Sequence, residues 1–223
     1  MALHGLGRLV AVDPRDGLHL LFRKAKKSKR VTRYWYDNRW WADQGETPHC
    51  VGYAWAHWLV NTPVINYMDP NGLYALAQQN DEWPGEDYDG TTVRAGAKVL
   101  RTLGFIHEYK WAFTLDTLVE ALLEKGPVVV GTDWYEAMSN PNRYGKIKIG
   151  GKKEGGHAYL LTGVDTKKRV FRIKNSWGRA WGKQGRALIG FAEMRILLRE
   201  KGEACLAVER AVTSEGLPKA VKK

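Results

Sequence analysis

The chain has 223 residues, 44% of them hydrophobic, with 24 Gly, 10 Trp and a formal net charge of +11. This suits one globular unit of one or two lobes with a substantial core. It excludes a membrane span, since no run approaches roughly 18 consecutive apolar residues, and Met1 to Val12 lacks the pattern of a secretory leader. Two cysteines, Cys50 and Cys205, exclude a disulfide framework and point to a reducing, cytoplasmic setting.

The charge is concentrated at two places. Arg23 to Arg33 carries seven positive charges and no acid, and Lys219 to Lys223 carries three more, so the rest of the chain is nearly neutral. Residues 1–33 read as an extended basic arm with a turn at Asp13-Pro14-Arg15-Asp16, and 213–223 as a basic tail. Such runs are ordinarily solvated. The sharper expectation is that Arg23–Arg33 meets nucleic acid or another anionic partner, although no zinc ligand set or RNA-binding signature accompanies it.

Residues 34–49 are aromatic, polar and irregular, and a buried helix is expected from about 48 to 60, with Pro48 in its first turn and Thr47 as cap. A short helix follows at 71–80, then a Gly-, Pro- and Asp-rich loop at 81–91. Val93, Ala97 and Leu100 sit at helical spacing over 92–103, and Gly104 stops the run. Over 115–125, Leu115, Leu118, Val119, Leu122 and Leu123 make an apolar face between Thr114 and Gly126-Pro127.

The pattern then changes to strands: 128–132, 158–164, 170–174, 186–190 and 204–208, with one short helix near 191–201. Helices first and strands later, each in a block, argue for an α+β fold of two lobes, and the cleft between lobes is a preferred place for a site.

The chemistry-bearing residues stand at element boundaries. Cys50 opens the first helix and Gln44 lies six residues before it. His157 follows two glycines at the opening of a strand, and Asn175 closes the next strand in Lys-Asn-Ser-Trp-Gly. Singly, each has an ordinary reading: a buried structural Cys, a surface Gln, a turn Asn. Together they suit a nucleophile at a helix N-terminus, where backbone N–H groups and a nearby imidazolium lower a thiol's pKa. Gln44 and the Cys50 N–H would form the oxyanion hole, His157 would be base and then acid, and Asn175 would hold the imidazole ring. Trp177 would cover the His157–Asn175 bond. His49 and His57 lack this context, and His57 reads as a core histidine.

Asp43-Gln44-Gly45 through Cys50, Gly156-His157-Ala158, and Ile173 to Gly178 with Trp181-Gly182 resemble the three signature blocks of papain-like cysteine peptidases. The resemblance covers roughly residues 34 to 210, which makes 34–212 the expected catalytic domain. It implies a helical left lobe carrying Cys50 and an antiparallel, barrel-like right lobe carrying His157 and Asn175, with the active site in the cleft. It implies endopeptidase chemistry on peptide or protein substrates through an acyl-enzyme, with no metal or cofactor. Tyr88-Asp89-Gly90-Thr91 is similar in position to the wall that holds substrate backbone. Asp89, Gly90, Gly156 and Trp177 are therefore the candidate substrate-binding residues.

The chain departs from the pattern in three ways. The nucleophile block reads Thr-Pro-His-Cys-Val rather than Cys-Gly-Ser-Cys-Trp. His157 follows Cys50 by 107 residues, less than the roughly 130 of papain-type enzymes, so right-lobe loops are trimmed. Only 49 residues precede Cys50, which is short for a long inhibitory pro-segment, and the expectation is a prokaryotic or bacteriophage-type member, associated with a virion if phage-encoded. The basic arm is then a candidate cover for the cleft. Two other functions use the same residues: an amidase or transamidase sharing the acyl-enzyme, and a binding module that works through its basic arm.

Overall fold

The structure is a computed structural model that describes residues 4–21, 28–36, 39–61, 64–83 and 87–209. Arg23 to Lys27 of the basic run and the whole basic tail lie outside them.

Helix α1 (Cys50–Leu59) is buried on every side, as expected of a helix with no polar face. It begins at Cys50 itself, so Pro48 precedes the first turn, contrary to the sequence expectation. The cap is His49, which makes no side-chain cap bond, while Thr47 Oγ1 donates instead to the Gln44 carbonyl at 2.6 Å. Thr47 is thus committed to the turn before the helix and cannot cap it.

Helix α2 (Pro70–Gln78) is capped by Asp69, and α3 (Val93–Thr102) by Thr92. Helix α4 (Leu115–Glu124) starts at a reciprocal Thr114–Thr117 capping box.

The sheet comprises β1 (Thr32–Tyr34), β2 (Ile106–Trp111), β3 (Val128–Tyr135), β4 (Lys146–Ile147), β5 (Lys153–Asp165), β6 (Val170–Lys174), β7 (Arg186–Gly190) and β8 (Glu203–Glu209), with helix α5 (Phe191–Arg199) before β8. Its order is β2-β8-β3-β5-β6-β7-β4, with β1 also on β5, and every pairing is antiparallel except β4 with β7.

Strand β2 falls in a stretch where the sequence showed no pattern. Its Ile-His-Glu-Tyr-Lys-Trp alternation is broken by a bulge between Ile106 and Glu108, and its pairing with β8 at the far end of the chain holds it. Strand β5 is longer than expected. His157 therefore lies within the strand, opposite Thr132, rather than opening it.

The sheet divides two cores by simple alternation. Val128 and Val130 face one, with Leu118, Leu122, Trp134, Phe171 and Met194. Val129 and Leu160 face the other, with Trp55, Leu59, Val93 and Leu100. Cys50 belongs to the second core, so helix α1 is pressed against the sheet that carries His157.

Residues 4–21 cross this framework in close contact with it. Leu9 N donates to Thr91 O at 2.9 Å, Leu21 N donates to Trp111 O at 2.9 Å, and Pro14–His19 forms a 3-10 turn. Asp16 is hydrogen-bonded to Arg94.

Candidate active site

Asn175 is oriented by the backbone. Its Oδ1 accepts from the Ser176 N–H at 2.9 Å, which fixes that atom as the oxygen. The same oxygen lies 2.7 Å from His157 Nε2, so Nε2 must carry the proton and donate. His157 is thereby held as the Nε2–H tautomer, with the lone pair on Nδ1, which makes no hydrogen bond. Trp134 and Trp177 each pack with ring centroids 4.8 Å from the imidazole and exclude water from it. Nδ1 is thus the nitrogen left free to accept a proton.

Cys50 is fully buried, and backbone N–H groups of Ala158, Gly7 and Val51 point at its sulfur. Ala158 adjoins His157 on β5, so α1 brings Cys50 to the part of the strand that carries His157.

Gln44 is clamped to the Asn175 loop. Its N–H donates to Ser176 O at 2.9 Å, and its Oε1 accepts from Ser176 Oγ at 2.5 Å. That leaves Nε2 as donor, at 2.7 Å to Thr47 O and 3.1 Å to Gly5 O. Ser176 was not picked out from sequence. The tetrapeptide Asn-Ser-Trp-Gly contained it, but only the fold shows that it sets which end of the Gln44 amide faces the cleft.

The Gly5 carbonyl belongs to the first part of the N-terminal arm. Residues 4–9 lie as an extended strap across the site. His4 stacks on Trp177 with ring centroids 4.3 Å apart. Gly5 N donates to Gly45 O and Arg8 N to Gly156 O, each at 3.0 Å, and Thr91 N donates to Gly7 O at 2.9 Å.

The approach is too close for side chains. A Cβ on Gly5 would lie 1.9 Å from Thr47 O, and one on Gly7 would lie 1.8 Å from Pro48 O. The alternating Gly-Leu-Gly was the only sequence signal of this. It is the strap upstream of the basic run that covers the cleft. The described part of that run lies elsewhere, with Ser28 and Arg30 on Glu124 of α4.

The four candidate substrate-binding residues sort differently. Gly90 adopts a φ of +99°, and a Cβ there would meet Gly7 O at 2.4 Å. Gly156 and Trp177 touch Arg8 and His4 of the strap. Asp89 is exposed and stands beside the strap's path without a contact to it among those described.

Burial decides the electrostatics. Loss of water pushes the Cys50 thiol up to about 11, against the opposing effect of the three N–H groups. It pushes His157 down to about 4, although the Asn175 bond acts in the other direction. The sequence expectation of a lowered thiol pKa is therefore not met in this covered form, because desolvation outweighs the helix N-terminus. The pair rests as a neutral thiol and a neutral imidazole.

The profile of the papain family cysteine proteases matches residues 75–202, more than half of the chain. A peptidase C1-like protein of Acanthamoeba polyphaga mimivirus is 24% identical over 191 residues, covering 64% of this chain and 61% of that protein. The chain thus spans less than two thirds of that relative's length.

Among solved structures, xylellain, a cysteine protease from Xylella fastidiosa, superposes with a TM-score of 0.74 at 20% identity, over 93% of this chain and 97% of that one. Digestive procathepsin L 3 of Tenebrio molitor gives 0.60 at 14%, over 93% and 76%. Bromelain of Ananas comosus, solved with the E64 inhibitor, gives 0.59 at 11%, over 81% and 100%. At these identities the likeness is one of fold. It accords with the α+β, two-lobe architecture read from the order of elements.

Proposed function

We propose, from the premise that this chain belongs to the papain family of cysteine proteases, that it hydrolyses peptide bonds through an acyl-enzyme on Cys50. The observation that carries the reading is the fixed tautomer of His157. Asn175 Oδ1, itself fixed by the Ser176 N–H, accepts the hydrogen bond from Nε2–H and leaves Nδ1 as the base.

When the strap withdraws, water and substrate enter and the desolvation that holds the thiol protonated falls. His157 Nδ1 takes the Cys50 proton, and the sulfur attacks the substrate carbonyl carbon. The oxyanion is held by Gln44 Nε2, which the Gly5 carbonyl vacates, and by the backbone N–H at the start of α1. His157 then gives its proton to the departing amine. Water, deprotonated by the same ring, releases the acyl group and restores the thiol.

The test pairs covalent labelling with product analysis. An epoxysuccinyl thiol inhibitor is expected to add once, at Cys50, and to fail with His157→Ala. A peptide pool is expected to show new N-termini. Equal labelling of Cys50 and Cys205 in both proteins would overturn the reading. Ammonia release without new N-termini would replace it with amidase chemistry. Binding of the basic arm to nucleic acid has no supporting observation, and Arg23 to Lys27 of that run lie outside the described residues.

A further inference from the structure

We propose that the edge of the sheet formed by β6, β7 and β4 binds single-stranded nucleic acid, holding its phosphates on exposed lysines and stacking its bases on arginine–aromatic pairs. The proposal is independent of the peptidase reading and of the basic run at Arg23–Arg33.

The near-neutrality of the chain between its two basic ends hides a segregation. Residues 141–153 carry five cations and no acid, and residues 166–190 carry eight and no acid. The fold brings these two stretches together. Strand β6 pairs with β7 and β7 with β4, and Lys183 lies against Gly145, where a Cβ would meet its Cγ at 3.1 Å. Arg143, Lys146, Lys148, Lys152, Arg179 and Lys183 are all exposed, and none forms an ion pair among the described residues. Cations crowded at one sheet edge repel one another, and a polyanion relieves that repulsion.

Register aligns one row of this surface. Tyr34 of β1 stands opposite Gly163 of β5, and Arg172 of β6, Leu188 of β7 and Lys146 of β4 follow in line. The tyrosine ring lies over Gly163, where a Cβ would meet Tyr34 Cδ1 at 2.4 Å. It thereby reaches the Arg172 guanidinium, 4.7 Å from the ring centroid. Two further pairs stand where β4 and β7, which run parallel, both begin. Arg143 meets Tyr144 at 4.7 Å just before β4, and Arg179 meets Trp41 at 4.8 Å. Trp41 lies against Gly185, just before β7, and its indole N–H donates to the Gln184 carbonyl at 2.9 Å.

These pairs choose the partner. Phosphate asks only for cations, which lysines satisfy. Arginines held over aromatic rings offer planar groups as well, and Tyr34 is 43% and Tyr144 59% exposed. Unpaired bases stack on such planes. A duplex keeps its bases stacked within itself, and a sulfated polysaccharide has none. A single strand uses both the cations and the rings.

The experiment uses the full chain and a fluorescein-labelled deoxythymidine strand of about 20 nucleotides, with anisotropy read between about 50 and 200 mM salt. Log affinity should fall with log salt at a slope of about −3, as for roughly four phosphate contacts on a single strand. Lys146→Gln, Lys148→Gln and Lys183→Gln together should weaken binding about 30- to 100-fold and flatten the slope by about 2. Tyr144→Ala should weaken binding about 5- to 150-fold with the slope unchanged, and should leave heparin binding as it was. Glutamine at Arg23, Lys24, Lys26 and Lys27 should change affinity less than about threefold. Loss of binding with the arm substitutions and none with those at the sheet edge would overturn the proposal, as would no binding near the lowest salt. Heparin or a duplex bound as tightly as the strand, with Tyr144→Ala affecting none of them, would also overturn it and leave a surface that reads charge alone. The Tyr144→Ala comparison stands even if the triple lysine variant misfolds.

Discussion

Substitution of Arg8 by alanine tests whether the strap governs access to Cys50. The arginine contributes two charge-assisted bonds from a fully buried side chain, to Glu203 and to the Lys201 carbonyl. Each such bond contributes about 1.5–3 kcal/mol. Release returns both donors and the carboxylate to water, and the backbone contacts at Gly5, Gly7 and Leu9 survive the substitution. A net loss of roughly 2–4 kcal/mol in strap closure follows, or about 30- to 800-fold in the open-to-closed ratio.

Alkylation of Cys50 by a small neutral reagent such as iodoacetamide, followed by intact mass at constant pH, reads that ratio directly while the closed form predominates. The reagent carries no charge to pair with Glu203, so only opening is sensed. Gly7→Ala should have the same effect by a different route, since its Cβ would lie 1.8 Å from Pro48 O and the strap could not seat. An Arg8→Ala protein with unchanged circular dichroism and a labelling rate within about threefold of wild type would refute the reasoning.

Cys50→Ala should keep the fold and abolish turnover, checked by circular dichroism and peptide hydrolysis. Asn175→Ala should leave partial activity, with kcat/KM down about 10- to 100-fold, because the ring loses its orienting acceptor but keeps Nδ1; a loss equal to that of Cys50→Ala would contradict these roles. Gln44→Ala should lower kcat about 100- to 1000-fold with little change in KM. The depressed pKa of His157 also makes a stability prediction. The unfolded chain binds this proton near pH 6.5 and the folded chain only near 4. The contribution is present above pH 6.5 and is lost as pH falls through about 4, so urea midpoints should drop over that window. His157→Gln should flatten that part of the slope.

The local patterns of this chain were legible because short-range physics writes them. The periodic leucines of α4, the Thr114 cap and the valine run of β3 reported their elements directly. So did the chemistry at the boundaries: Gln44, Cys50, His157 and Asn175 were identifiable as types in a known order, and the structure places them where α1 meets β5 and where the Gln44 loop bonds to Ser176. Strand β2 was not legible, because its partner is β8, about a hundred residues away, and its own bulge breaks the alternation. The start of α1 was misjudged for a local reason, since Thr47 gives its hydroxyl to the carbonyl of nearby Gln44.

What the sequence determined by itself was therefore the inventory: the α+β order of elements, and the candidate nucleophile, base and orienter of a recognisable family. Only the tertiary structure decided the state of that inventory. It laid a Gly-Leu-Gly-Arg strap through the cleft and raised the thiol's pKa where the helix terminus alone would lower it. It also buried Arg8 against Glu203, on the opposite end of the chain. Desolvation and ion pairing depend on which groups are brought together in space, and no local pattern of residues records that.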